Sequence, residues 1–152
     1  MFRITKAADY GVQIAAHLAC AEKAFLNAQE VARALRLPLP MAARILKILA
    51  QAGLLQATRG PNGGYALARA AKDISIYEVI SALEGPPSLT ECLEVKGACV
   101  REGDCGAEAF WRVLDKMVCQ ALAGVSIEHM AQLLLEDTGQ ENTSGTVWED
   151  NT

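Results

Sequence analysis

Three of the five cysteines in this chain fall within fifteen residues, in the stretch ECLEVKGACVREGDC at positions 91–105. Cys92, Cys99 and Cys105 have the spacing C-x6-C-x5-C, and no periodic apolar pattern lies between them. A structural zinc site normally offers four ligands with paired C-x2-C spacing. Iron–sulfur clusters accept looser thiolate spacings, and a non-cysteine ligand can complete their ligand set. The stretch therefore predicts an iron–sulfur cluster, with a zinc ion or three unrelated thiols as alternatives.

The expected compartment supports a role for free thiols. The first residues, MFRITKAADYGVQ, lack the apolar middle of a signal peptide. No apolar run approaches the roughly 18 residues of a membrane span. An odd number of cysteines also argues against a disulfide framework. We therefore expect a cytoplasmic protein with no membrane association, in which the thiols stay reduced.

Charge divides the chain into two unlike parts. Residues 1–72 carry ten Lys and Arg against three acidic residues, a balance of +7. Residues 73–152 carry four against fifteen, a balance of −11, so that the whole chain has a net charge of −4. The basic part predicts contact with a polyanion, although a solvated charge imbalance would give the same numbers.

The basic part contains two consecutive helix signals. Asn27 and Glu30 have the spacing of a capping box, while Pro40 and Gly53 are typical of the first turn and the end of a second helix. In this second helix a core-facing stripe is formed by Ala42, Ile45, Leu46 and Leu49. The opposite side is formed by Pro40, Arg44, Lys47 and Gln51. A short helix, a turn and a helix with outward cations predict a helix-turn-helix for DNA. On this helix we predict DNA contacts from Pro40, Met41, Arg44 and Lys47.

The stretch LLQATRGPNGGYALAR follows, with two short extended runs around a Gly, Pro and Asn turn. This pattern predicts a β-hairpin. A hairpin after a helix-turn-helix is a wing, and a basic wing tip can enter the minor groove. We predict that Arg59 and Asn62 bind DNA from this tip, although glycines in a turn are also explained by the hairpin alone.

Together with these features, RITKAADYG, LPLP, AGLLQATRGPNGGYALAR, ISIYEVISALEGP and LTEC resemble the IscR/NsrR-type winged-helix regulators over roughly residues 1–135. Within that family the chain is most similar to the branch that regulates SUF iron–sulfur assembly genes. The resemblance implies a homodimeric transcription factor whose cysteines hold an iron–sulfur cluster, with [2Fe–2S] favoured over [4Fe–4S]. Pro40 and Met41 stand where IscR-type relatives carry polar or aromatic residues, and Ala43 stands at the position of their base-reading acidic residue.

The resemblance leaves the fourth cluster ligand open. IscR-type relatives carry a histidine three residues after the third cysteine, and that position here is Glu108. NsrR-type relatives use an acidic residue near the start of the first helix, supplied by the other protomer, and Asp9 matches it. Asp9 would otherwise be a first-turn carboxylate that favours the helix dipole. It lies on a small, partly apolar side of the first helix, formed with Val12, Gln13, Ala16 and Cys20.

The acidic part predicts the remaining architecture. A broad apolar face in AEAFWRVLDKMVCQALAG indicates a long helix that pairs with a second copy, or else folds back on its own domain. The chain is thus predicted to be mainly α. We assign a winged helix-turn-helix with a two-stranded β wing to 1–84, a cluster-binding segment to 85–106, dimerisation helices to 107–136 and an acidic, disordered tail to 137–152.

The resemblance to this family, together with the basic winged part, implies a DNA-binding repressor of iron–sulfur assembly genes that senses its own cluster. The alternatives are a repressor of the same family that senses nitric oxide or redox state, and a metal-free winged-helix repressor that senses thiol oxidation. An enzyme is not expected, because no acid–base pair, nucleophile constellation or nucleotide-binding loop is present. GPNGGY lacks the lysine and the helix context of a phosphate-binding loop.

Overall fold

A computed structural model describes residues 3–90, 93, 95–97, 99–101 and 103–138. In this part of the chain the fold is a mainly α winged helix, as predicted. Its elements are α1 (Lys6–Ala19), α2 (Ala28–Leu35), α3 (Leu39–Gln51), β1 (Leu55–Thr58), β2 (Gly64–Leu67), a 3-10 turn (Ala71–Asp73), α4 (Ile76–Glu84), α5 (Glu108–Ala123) and α6 (Ile127–Thr138).

Helices begin where the capping residues predict. At α2 the backbone N–H of Glu30 donates to Asn27 Oδ1 at 2.9 Å, and the N–H of Asn27 donates to Glu30 Oε2 at 2.8 Å. Ser75 and Glu78 form the same reciprocal box at the start of α4. Each box satisfies two N–H groups that a helix start would otherwise leave without a partner. The proposed end of α3 is also confirmed, because Gly53 follows the helix with a φ of 79°.

The wing is attached to the helix-turn-helix through its second strand. β1 and β2 pair antiparallel, with Leu55 opposite Leu67. On the other edge of β2, Tyr65 exchanges two backbone hydrogen bonds with Leu26, at 2.8 and 3.0 Å. Gly64 lies so close to this crossing that a Cβ there would meet the backbone of Leu26. The hairpin is therefore held against the chain just before α2.

One core joins the helices to the hairpin. Its largest fully buried side chains come from α1, α2, α3, α4, α6 and the residue after the 3-10 turn: Ile14, Val31, Ile45, Leu46, Leu49, Ile74, Val79 and Ile127. The predicted stripe of α3 lies in this core. The buried stripe fixes which side of α3 faces outward, and the outward side carries the cations discussed below.

The last helix returns to the winged domain. The N–H of Ile127 donates to Ile74 O at 2.8 Å, and the N–H of Ile76 donates to Val125 O at 2.9 Å. α6 then packs against α1. Ala16, on the partly apolar side of α1 that also carries Asp9, is fully buried. α6 runs to Thr138, two residues into the stretch predicted as a tail, and residues 139–152 lie outside the described part.

α5 is the exception to this packing, because none of its residues is buried. Its large apolar side chains are exposed, among them Phe110 (58%), Val113 (60%) and Met117 (58%). No helix in the described part of the chain combines the length and apolar character needed to cross a membrane.

Candidate DNA-binding face and cysteine segment

The outward side of α3 is a row of exposed residues above a buried stripe. Pro40, Arg44 and Lys47 are exposed, whereas Ala42 and Ile45 are buried on the other side. Pro40 stands in the first turn, where a helix has no intrahelical partner for its N–H. This geometry presents two cations from one helix face, as a helix that enters a major groove requires.

Met41 lies differently from the other predicted DNA contacts. It is half-buried and packs against the core cluster. Its position four residues before Ile45 places it at the edge of the core stripe, which is the sequence signal for this packing. Any contact of Met41 with DNA would therefore use only the exposed part of its side chain.

The wing tip presents Arg59 and Asn62, and both are exposed. The turn between them and β2 is tight. A Cβ on Gly63 would meet the backbone of Thr58, so this position requires a residue without a side chain. The tip is thus a tight loop on which Arg59 and Asn62 are both exposed.

Two cations of the basic part, Lys23 and Arg69, are already paired within the chain. Lys23 Nζ lies 2.7 Å from Glu30 Oε1, and Arg69 Nη2 lies 2.7 Å from Glu78 Oε1. Among the described residues, Arg44, Lys47 and Arg59 form no ion pair. Their charges are therefore available for phosphates, whereas those of Lys23 and Arg69 are partly neutralised.

The cluster-binding segment of residues 85–106, called the cysteine segment below, is described only in part. Cys99 and Cys105 are half-buried, and Cys92 lies outside the described residues. Asp9 is exposed on α1, and its Oδ1 accepts a hydrogen bond from Gln13 Nε2 at 2.9 Å. Among described residues, no group of three or more His, Cys, Asp or Glu could hold a metal ion. Asp9, Cys99 and Cys105 thus do not form a three-ligand group within one chain.

A groove opens beside Cys105 along the first half of α5. Its volume is about 620 Å³, and it is lined by Cys105, Glu108, Ala109, Arg112, Val113 and Lys116. Glu108, the weaker candidate ligand, forms an ion pair with Arg112 one helical turn on. A guanidinium so placed competes with any metal for this carboxylate.

Two residues of α5 that sequence reasoning did not assign as ligands contact the start of the segment. Asp115 Oδ1 accepts a hydrogen bond from the backbone N–H of Leu89 at 2.8 Å. The Sγ of Cys119 lies 3.5 Å from Pro87 O. Both partners are backbone groups, which leave no residue-type signal in a sequence. Cys20, by contrast, is exposed at the end of α1.

A helix-turn-helix with a basic wing, followed by an exposed helix, defines a winged-helix DNA-binding transcriptional regulator. The chain belongs to the Rrf2 family, described as iron-dependent transcriptional regulators, whose family model matches residues 4–133. Protein aau3 of Rhizobium meliloti (strain 1021) is 29% identical over 131 residues, which cover 86% of this chain and 85% of that protein.

Two further relatives carry more descriptive names. The HTH-type transcriptional regulator IscR of Escherichia coli is 33% identical over 93 residues, which cover 60% of this chain and 57% of IscR. The chain thus spans less than two thirds of IscR. The solved structure of CymR, the global cysteine regulator of B. subtilis, superposes with a TM-score of 0.70 at 25% identity, covering 88% of this chain and 98% of CymR.

Proposed function

We propose that this protein is a homodimeric repressor whose affinity for operator DNA depends on an iron–sulfur cluster held by Cys92, Cys99 and Cys105. The observation that carries the proposal is the position of the cysteine segment. It lies between the winged helix-turn-helix and the exposed helix α5. The family description as iron-dependent supports an iron-containing group in particular.

The residues present fit such a group. Cysteine thiolates are the ordinary ligands of iron–sulfur clusters, and the half-buried Cys105 borders open space of about 620 Å³. A cluster there would displace no core side chain. Once bound, it would supply a centre that reacts with oxidants and nitric oxide. Asp9 is our preferred fourth ligand, with Glu108 or an exogenous group as alternatives, and [2Fe–2S] is favoured over [4Fe–4S].

DNA binding would use both exposed surfaces of the winged domain. We assign base and phosphate contacts on α3 to Pro40, Met41, Arg44 and Lys47, and contacts of the wing to Arg59 and Asn62. Cations without an internal ion-pair partner give sequence-independent affinity, and side chains in the grooves read bases. We assign iron–sulfur assembly genes as the targets and the cytoplasm as the place of action.

Dimerisation would use the apolar side of α5. Phe110, Val113 and Met117 lie on one face and are each more than half exposed. Paired helices of two protomers would bury this face and set the distance between the two winged domains. Recognition helices must reach half-sites about 34 Å apart on one face of DNA. A cluster beside α5 can therefore change DNA affinity by changing that distance, which is a coupling between two sites.

A second candidate is a metal-free repressor that senses thiol oxidation. The likeness to CymR, which is described as a global cysteine regulator and shares the fold over nearly its whole length, fits this candidate equally well. A repressor of the same family that senses nitric oxide or redox state through its cluster is a third. These candidates share the DNA-binding face and differ in what the cysteine segment holds.

Anaerobic purification tests the proposal directly. We expect visible absorption bands, with iron and acid-labile sulfide in equal amounts, and we expect each of Cys92→Ser, Cys99→Ser and Cys105→Ser to lose them. Cys20→Ser is the matched control, because Cys20 lies outside the segment and should keep the cluster. If all three segment variants retain full iron and sulfide, the segment is not the site. A colourless wild-type protein that responds to diamide would favour the thiol-oxidation candidate.

A further inference from the structure

The chain leaving α4 is attached to α5 before it reaches the cysteines. The carboxylate of Asp115 accepts a hydrogen bond from the N–H of Leu89 at 2.8 Å. One turn further along α5, the thiol of Cys119 lies 3.5 Å from the carbonyl oxygen of Pro87. Cys92 follows Leu89 by three residues in the sequence. The two side chains thus hold both ends of a three-residue stretch at the start of the cluster-binding segment, just before Cys92.

The chemistry of Cys119 suits a hydrogen-bond donor. Partial burial raises the pKa of its thiol, and the charge of Asp115 raises it further. The Sγ of Cys119 lies 4.0 Å from Asp115 Oδ2, so the carboxylate is the neighbouring charge. A thiol held protonated can donate to Pro87 O, and it is a poor nucleophile at neutral pH. Cys119 is therefore suited to hold the backbone rather than to react with oxidants.

α5 carries these two contacts and its exposed apolar side on different faces. Asp115 and Cys119 are half-buried one turn apart, while Val113 and Met117 are exposed one turn apart on the other side. Residues 87–89 thus contact one face of α5, and the opposite face is unburied.

We propose that Asp115 and Cys119 are positioning residues that transmit the state of the cysteine segment to α5. The inference rests on the proposed function, because it supposes that cluster loss alters the segment and that α5 pairs two protomers. It adds the residues that connect these two events. Without the two contacts, the segment could hold or lose its cluster with little effect on the dimer or on DNA.

The first arm of the test uses the full-length protein without cluster. Asp115→Leu replaces the carboxylate that accepts from the N–H of Leu89 with an apolar side chain of similar size. Asp115→Asn keeps a side-chain oxygen that can accept this hydrogen bond. We expect hydrogen–deuterium exchange in the peptide covering 86–90 to rise about tenfold in the leucine variant and to stay near wild type in the asparagine variant. Cys119→Ala and Cys119→Ser form a second, milder pair, in which serine keeps the donor.

The second arm measures the ratio of operator affinities between the cluster-loaded and the cluster-free protein. Allosteric ratios are typically about 5–150. We expect Asp115→Leu to bring this ratio close to 1 while both forms still bind DNA, and Asp115→Asn to restore it. Asp137→Leu, an exposed carboxylate variant on α6, is the control and should change neither exchange nor ratio.

The outcomes separate this inference from the proposed function. A wild-type protein with no cluster, or with a ratio of 1, overturns the proposed function and the transmission with it. A wild-type protein with a cluster and a large ratio, combined with an unchanged ratio in Asp115→Leu, overturns the inference alone. Unchanged exchange in Asp115→Leu and Cys119→Ala also overturns it, because the contacts would then not hold the segment.

Discussion

The guanidinium of Arg69, two residues after the end of β2, contacts Glu78 in the first turn of α4. Its Nη2 lies 2.7 Å from Glu78 Oε1, and its Nη1 donates to the carbonyl oxygen of Asp73 at 3.1 Å. Glu78 uses its other oxygen to accept from the N–H of Ser75 at 2.9 Å. One carboxylate therefore serves a helix cap and an ion pair at once, and it connects the wing to the elements that lead to the cysteine segment.

This arrangement predicts a loss of stability in acid. Partial burial raises the pKa of Glu78, but hydrogen bonds from Ser75 and Arg69 together outweigh burial and lower the pKa below its ordinary value of 4.5. A lowered folded-state pKa stabilises the fold above about 4.5, and this contribution is lost as the pH falls through the folded value. Because the pair is partly exposed, we expect only about 0.2–1 kcal/mol from it. Urea unfolding between pH 7 and pH 3 measures the effect.

Glu78→Gln provides the control for this pH dependence. Glutamine keeps a carbonyl oxygen for the N–H of Ser75 but does not titrate. We expect its unfolding free energy to be lower than that of wild type at pH 7 and to approach the wild-type value near pH 3. Parallel curves for the two proteins across this range would contradict the role of Glu78.

A substitution at Gly64 is expected to loosen the wing. Gly64 has a φ of 147°, and an added Cβ would meet the backbone of Leu26 and lie 2.7 Å from Asn27 N. Gly64→Ala should therefore reduce the unfolding free energy by about 1–3 kcal/mol. Gly60→Ala is the matched control, since Gly60 also has a positive φ but open space around it. Equal losses in thermal or urea unfolding would mean that only backbone strain matters at Gly64.

The helices and the wing could be predicted from the sequence because their signals are local. Capping residues, apolar spacing and a glycine-rich turn lie within a few residues of the structure they determine. The attachment of β2 to Leu26 had no such signal, because it consists of backbone hydrogen bonds between residues far apart in the chain. Asp115 was missed for the same reason, because its partner is the backbone N–H of Leu89, 26 residues earlier in the chain.

The exposed cations of α3 and the wing are expected to contribute unequally to DNA affinity. Arg59→Ala should weaken operator binding by about 1–3 kcal/mol if the guanidinium lies in the groove. Lys47→Ala should weaken binding to all DNA sequences alike. It should also reduce the slope of log affinity against log salt concentration by roughly one, as expected for a phosphate contact. Fluorescence anisotropy at several salt concentrations measures both.

Lys23→Ala is the control for general loss of positive charge. Lys23 is exposed but already paired with Glu30 at 2.7 Å. We expect its removal to change operator affinity little at a fixed salt concentration. If Lys23→Ala and Arg59→Ala weaken binding equally, the wing tip has no specific role, and Arg59 is not a DNA contact.

Charge on the apolar side of α5 should separate the two protomers. Met117 is 58% exposed in one chain, and a lysine there would bury an unpaired charge in a dimer. We expect the Met117→Lys protein to sediment as a monomer in analytical ultracentrifugation, where wild type sediments as a dimer. Its helix content should be unchanged, which shows that the monomer is folded. Gln29→Lys adds the same charge on α2 and should stay dimeric. A dimeric Met117→Lys protein would place the interface elsewhere.

The final prediction concerns Asp9 as a cluster ligand supplied by the partner protomer. Asp9 is exposed, and within the described part of the chain its carboxylate accepts a hydrogen bond from Gln13 and forms no ion pair, so it is accessible from outside its own chain. A carboxylate is a harder ligand than a thiolate and binds iron in such a site less firmly. We expect Asp9→Ala to remain a folded dimer that binds DNA without cluster, but to lose its visible absorption faster in air. Gln13→Ala is the control, because it removes the neighbour and leaves the ligand.

Mixed dimers test whether the ligand acts across the two-fold axis. A protomer with Asp9→Ala is combined with one carrying Cys99→Ser, and the hetero-dimer is isolated with two affinity tags. If each site takes Asp9 from one chain and its cysteines from the other, one site is intact and the other lacks both ligands. We then expect half the wild-type amount of air-stable cluster. If Asp9 binds within its own chain, both sites are defective and no stable cluster remains. Wild-type cluster stability in Asp9→Ala itself would leave Asp9 as a first-turn carboxylate that favours the helix dipole.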